Sequence, residues 1–143
     1  MTGEIVFTVD VNGEQAAVVE AIASIEGIRR WWTDQCDGDG AAGGTLKPGF
    51  PMAPMPFELR VDEVGASSVR WTSTGDFPPH WTNSQVTWQV AANPQGPGVL
   101  VDFKHTGFPT EEGIGMVAYT WGQLMTSLKS YVESGQPAPL FIS

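Results

Sequence analysis

The side chains able to do chemistry in this chain fall on two stretches. His105 closes the alternating segment Val101-Asp102-Phe103-Lys104-His105, and Tyr119 and Gln123 stand four apart in a long helical stretch. A histidine facing an apolar pocket could exchange hydrogen bonds with a ligand or move a proton, and burial would lower its pKa. The competing role is a histidine bonded to a neighbouring strand or helix side chain for structure alone. Tyr119 and Gln123 could turn their polar tips toward a sheet and orient a ligand resting on Trp71 and Trp88. Trp32, Phe57, Trp81, Phe103 and Met116 complete the expected lining, with Met52 and Met55 near its mouth. Core packing competes with pocket lining for every one of these apolar residues.

Other chemistry is disfavoured. Asp37-Gly38-Asp39-Gly40 suggests calcium, but an EF-hand register puts Gln35 first and Leu46 last, where carboxylates are needed. Cys36 adjoins the same acidic stretch, which should raise its thiol pKa, and no base lies near it in sequence. There is no Gly-x-Ser-x-Gly elbow and no phosphate-cradling glycine loop. The reading therefore expects neither metal nor cofactor.

These side chains need elements to hold them. Val69-Trp71-Ser73, Val86-Trp88-Val90 and Val101-Phe103-His105 each alternate with polar residues, a period of two that puts one set on the inner face of an antiparallel sheet. Ile5, Phe7, Val9 and Val11 open the chain in the same way, and Phe57, Leu59 and Val61 form a further strand. A short helix is expected over 14–25, with Ala17, Val18, Ala21, Ile22 and Ile25 inward. Gly27 should break it from a second piece at 28–32, where only one of Trp31 and Trp32 can face the core. Residues 34–44 read as a loop, 45–50 as a weak strand and 77–81 as a Pro-rich loop on a cavity rim. From 111 to 133 the period becomes three or four, through Ile114, Val117, Trp121, Leu124, Leu128 and Val132. Such a helix is about 35 Å long, and Thr110 should cap it. Trp71, Trp88 and Phe103 are bulky enough to prop this helix off the sheet and leave a lined cavity. The whole reads as an α+β fold, one curved antiparallel sheet gripping a long C-terminal helix, in a single domain over 1–143.

Composition agrees. A chain of 143 residues buries roughly 68–70% of its unfolded surface and needs no disulfide to fold. With 41% hydrophobic and 16% charged residues it is a globular sequence. Its net charge of −9 disfavours nucleic acid as a partner. No stretch has the length of a membrane span, the N-terminus lacks a signal-peptide pattern, and Cys36 is a lone cysteine. A reducing, cytoplasmic setting is expected.

Several stretches together carry a family resemblance. They are Trp31-Trp32-Thr33, Val69-Arg70-Trp71 leading to a Pro-Trp loop, Val86-Thr87-Trp88-Gln89-Val90 and 101–108. Last comes Tyr119 through Trp121-Gly122 to Ser127-Leu128-Lys129-Ser130-Tyr131 and Gly135. The chain resembles the START-like, or SRPBCC, superfamily, nearest the branch named after the C-terminal domain of the heat-shock-chaperone ATPase activator. The resemblance implies a helix-grip fold with a hydrophobic ligand site under the long helix. Fold membership does not fix function. The favoured reading is binding or sequestration of a small lipid-like or aromatic molecule, by a monomer or homodimer. A cyclase- or dehydratase-like enzyme using His105 is the alternative, and a co-chaperone-like interaction module the third. The cavity should open between the start of the long helix, where Gly113 and Gly115 weaken it, and one or both of two loops, Phe108-Pro109 and 51–56.

Overall fold

The computed structural model describes residues 3–143; Met1 and Thr2, part of the N-terminal stretch read for a signal peptide, lie outside the described residues. Seven strands form one antiparallel sheet in the order β1-β7-β6-β5-β4-β3-β2. They are β1 (Ile5–Val11), β2 (Gln35–Gly38), β3 (Thr45–Gly49), β4 (Leu59–Val64), β5 (Ser68–Ser73), β6 (Gln85–Ala92) and β7 (Val99–Thr106). From β2 to β7 each strand pairs with the next, and β1 returns to pair with β7. Between β1 and β2 run two short helices, α1 (Gln15–Ala23) and α2 (Ile25–Trp31), and the long helix α3 (Ile114–Ser134) follows β7. This is the α+β helix-grip architecture.

Register explains the inner face. Ile5 lies opposite His105, His105 opposite Val86, Val86 opposite Trp71 and Trp71 opposite Val61. The neighbouring row runs Phe7, Phe103, Trp88, Val69, Val64. Because side chains alternate strictly along a strand, both rows belong to one face, and a slip by one residue would turn them all to water. A bulge between Val61 and Glu63 interrupts the second row, and Val64, beyond it, is exposed.

Five local expectations are corrected. The break between α1 and α2 falls at Ser24, whose hydroxyl accepts the Gly27 amide at 2.9 Å and caps α2. Gly27 instead lies inside α2, where a Cβ would come within 2.6 Å of the Glu20 carbonyl, so glycine lets the two helices touch. Of the expected α1 face only Val18, Ala21 and Ile22 are buried, while Ala17 is exposed. Trp31 and Trp32 are both buried, because the helix ends at Trp32 and the change of direction turns its side chain inward as well. The supposed loop 34–44 contains β2, a short edge strand paired with β3. Finally, α3 starts after Gly113, at φ 82°, and not with Thr110 as cap; the Thr110 hydroxyl accepts the Glu112 amide in the turn before it.

Past α3, the tail folds back along α2. Ala138, Leu140 and Phe141 donate backbone hydrogen bonds to Arg30, Trp31 and Trp32 at 2.9, 3.3 and 3.0 Å, and Asp34 donates to Phe141. A parallel bridge between Thr33 and Phe141 fixes the tail there.

Candidate functional site

A pocket of about 440 Å³ opens beside the first turns of α3. Four segments enclose it: the residues after β3 (Phe50 to Pro54), Phe57 ahead of β4, the turn Phe77–Trp81, and the tail through Phe141. Helix α3 supplies Met116, Val117, Thr120, Trp121 and Leu124. The aromatic walls brace one another. Phe50 lies 4.8 Å from Phe57 and 4.9 Å from Phe141, Phe57 packs edge-on to Trp81 at 5.0 Å, and Trp81 stacks on Trp121 at 6.1 Å. Trp32, at 5.2 Å from Trp121, forms the inner wall. Polar side chains are sparse: Thr120, whose hydroxyl donates back to the Met116 carbonyl at 3.0 Å, and His80, whose pKa burial lowers. Apolar walls with few polar groups are the usual make-up of a small-molecule site.

The expected lining divides. Trp32, Phe57, Trp81 and Met116 line the pocket. Trp71, Trp88 and Phe103 do not; they lie beneath it in solid core. Trp71 is covered by Trp32, stacked at 6.0 Å, while Trp121 descends onto Phe103 at 4.5 Å and Trp88 at 6.0 Å. The sheet aromatics thus do not prop the helix away, because Trp121 fills the space above them. Tyr119 and Gln123 are corrected outright: Tyr119 is 66% exposed and Gln123 is exposed too. Each is two residues from the inward Trp121, about 200° around a helix of 3.6 residues per turn, so both face solvent.

His105 is also outside the pocket, sealed behind Trp81 and Trp121 at 0% exposure. Its Nδ1 accepts the Trp121 indole N–H at 3.1 Å and its Nε2 lies 2.8 Å from the Ser84 hydroxyl. Phe108 covers it at 4.2 Å. Burial, with His80 nearby, pushes its pKa down to about 3. A neutral imidazole with both nitrogens occupied has no path for a proton to a molecule in the pocket. Of the two loops expected at the mouth, 51–56 lines it through Met52, Ala53 and Pro54, and the 77–81 turn is on the rim as expected, while Phe108-Pro109 is absent from the lining, Phe108 being spent on covering His105.

Phe50, Thr120 and Phe141 are lining positions that the sequence reading did not assign to the pocket, and within the expected 77–81 rim it singled out Trp81 but not Phe77 or His80. The apolar run Leu140-Phe141-Ile142 after a helix stop was the available signal for Phe141. Elsewhere, Cys36 is buried in β2 and its thiol is raised to about 12 by burial, which outweighs the lowering by Arg29, with a smaller upward push from Asp37. Asp37 pairs with Arg29 at 2.9 Å and the Asp39 carboxylate accepts the Ala41 amide. Among the described residues no group of acidic, His and Cys side chains is arranged to hold a metal, and no helix is long and apolar enough to cross a membrane.

A seven-stranded sheet closed by one long helix, with an apolar pocket where the helix begins, defines a helix-grip protein of the START-like class. The sequence model of the family described as Activator of Hsp90 ATPase homolog 1-like protein matches residues 14–133, and the chain belongs to that family. No curated protein matches the sequence. Solved structures show the same fold. The Aha1 dimer from Colwellia psychrerythraea superposes with a TM-score of 0.82 at 21% identity, over 94% of this chain and 98% of that one. CalU16 from Micromonospora echinospora gives 0.73 at 18% identity, over 95% and 77%. DynU16, from the dynemicin biosynthetic locus, gives 0.75 at 18%, over 98% of this chain and 51% of its own.

Proposed function

We propose that this protein binds, without transforming, a small hydrophobic molecule in the pocket at the start of α3. The observation that carries the reading is the wall itself: about 440 Å³ enclosed by mutually packed Trp and Phe side chains, with His80 and Thr120 as the sparse polar groups. A flat, ring-bearing or lipid-like ligand matches such a surface, and one acceptor on it would suit His80 at the edge. The likeness in fold to DynU16, described as a protein of a biosynthetic locus, is in keeping with a small-molecule role. Catalysis through His105 loses its motive, since that side chain does not line the pocket.

Titration with N-phenyl-1-naphthylamine and with cis-parinaric acid, followed by tryptophan fluorescence, tests the proposal. Saturable quenching is expected, and Val117→Trp, which fills the pocket from its half-buried position on α3, should abolish it while the protein stays folded. No response to either probe, or equal binding by the filled variant, would count against the site.

A second reading has one observation behind it. Met52 and Met116 flank the mouth at 70% and 72% exposure, an apolar rim that a protein partner or a second copy could cover. The Colwellia protein is described as a dimer. Light scattering on wild type and on Met52→Glu would separate a dimer held by this rim from a monomer.

A further inference from the structure

We infer that His105 is a positioning residue that fastens the 77–81 turn to helix α3, so that Trp81 and Trp121 move as one wall. Hydrogen-bond chemistry dictates the direction of the linkage. An indole N–H can only donate, so Trp121 requires the Nδ1 of His105 as acceptor, at 3.1 Å. A neutral imidazole then carries its proton on Nε2 and donates it to the Ser84 oxygen at 2.8 Å. The Ser84 hydroxyl in turn donates to the Trp81 carbonyl at 2.6 Å. The bonds run in one sense from α3 through β7 to the residue that ends the turn, where the Trp81 carbonyl also accepts the Ser84 backbone amide at 2.8 Å.

The rings repeat what the bonds do. Trp81 meets His105 edge-on at 4.6 Å and stacks on Trp121 at 6.1 Å. A phenylalanine would fill the same space without burying two ring nitrogens, a burial that costs free energy unless both are paired. An imidazole is what two different partners on opposite ring edges require. Trp81 and Trp121 come from elements far apart in sequence, and His105, on the strand between them, touches both. For ligand selection this rests on the reading of the pocket as a ligand site: a fixed wall favours a rigid planar molecule over a flexible chain.

The test separates the two claims. Indole N–H signals are followed by ¹H–¹⁵N spectroscopy, with Trp121→Phe identifying the Trp121 resonance. Ser84→Ala should shift that resonance although the Ser84 hydroxyl bonds to His105 and Trp81 and not to Trp121, His105→Phe should shift it further, and His105→Gln, which offers an acceptor and a donor, should bring it back toward its original position. The ratio of affinities for N-phenyl-1-naphthylamine and cis-parinaric acid should fall about fivefold in His105→Phe, the equivalent of one lost hydrogen bond, and recover in His105→Gln. A Trp121 resonance unmoved by Ser84→Ala overturns the linkage, and that variant decides the matter if His105→Phe fails to fold. A shifted resonance with neither probe bound by wild type upholds the linkage and overturns the ligand reading instead.

Discussion

Helix α3 meets the rest of the molecule in two ways along its length. From Trp121 to Leu128 its inward residues are sealed, with Trp121, Leu124, Met125 and Leu128 all at 3% exposure or less. Over its first two turns the same spacing of apolar residues continues, yet Ile114 and Val117 are half-buried and Met116 is 72% exposed. The stripe is equally apolar at both ends; what differs is the neighbour. The later turns rest on sheet and short helices, while the first turns look across a gap at the Phe50–Pro54 and Phe77–Trp81 segments. The pocket lies between these first turns and those two segments.

Trp121 divides the two ends, and removing it should have the largest effect. It packs on Phe103, Trp88, Trp32 and Trp81 and supplies the donor for His105. Trp121→Ala is expected to cost about 4 kcal/mol in a urea unfolding curve, the range for deleting a buried aromatic. A loss under about 1 kcal/mol would show that the sealed end does not hold the helix.

Acid should act on the sealed end next. His105 titrates near 3 in the folded protein and near 6.5 once unfolded. Between those values the unfolded chain holds the extra proton, so stability is flat above neutrality and falls as pH drops toward 3. The loss from this group is about 3 kcal/mol by pH 4. His80, also lowered by burial, acts in the same direction. Comparing His105→Gln with wild type between pH 7 and pH 4 isolates the His105 part, and parallel curves would refute it.

Much of the closed end was legible from spacing, and little of the open end. Period two identifies the inner face of β5, β6 and β7, and period three to four identifies the sealed stripe, because a face is a property of one element. Whether an inward side chain borders space is a property of two. Trp71, Trp88 and Phe103 were correctly placed inward, but only the descent of Trp121 decides that they are core. Tyr119 and Gln123 were misplaced because four-residue spacing shows that two residues share a face without saying which. The edge strand β2 was hidden by its Gln-Cys-Asp-Gly composition, in which Cys36 alone is buried. Phe141 reaches the pocket through backbone bonds to α2, which no periodicity encodes.

The two glycines at the start of α3 sharpen the contrast at a scale of about 1 kcal/mol. Gly115 is helical with open space around it, so Gly115→Ala should stabilise by about 0.5–1 kcal/mol. Gly113, at φ 82°, is in a conformation that an alanine resists, and Gly113→Ala should destabilise by about 1 kcal/mol. Amide exchange should be fast near Ile114 to Met116 and slow from Leu124 onward, with Gly115→Ala raising protection only in the first segment. Uniform protection along α3 would erase the distinction between its ends.

The smallest effect on stability is expected at Met116. Its side chain is mostly in water yet borders the pocket, so truncation removes little buried surface. Met116→Ala should change unfolding stability by no more than about 0.5 kcal/mol, as at other exposed positions. A ligand seated in the mouth would nevertheless lose contact with a flexible thioether able to fold over it. Weaker binding of N-phenyl-1-naphthylamine by a few-fold, through faster dissociation, is therefore the expected outcome in stopped-flow fluorescence. If Met116→Ala instead destabilises the fold as Trp121→Ala does, the first turns of α3 are core and the open end is not a mouth. An intact fold with faster release of the probe would assign the two ends of one apolar stripe to different work: the sealed end to holding the helix on the sheet, the open end to holding a ligand.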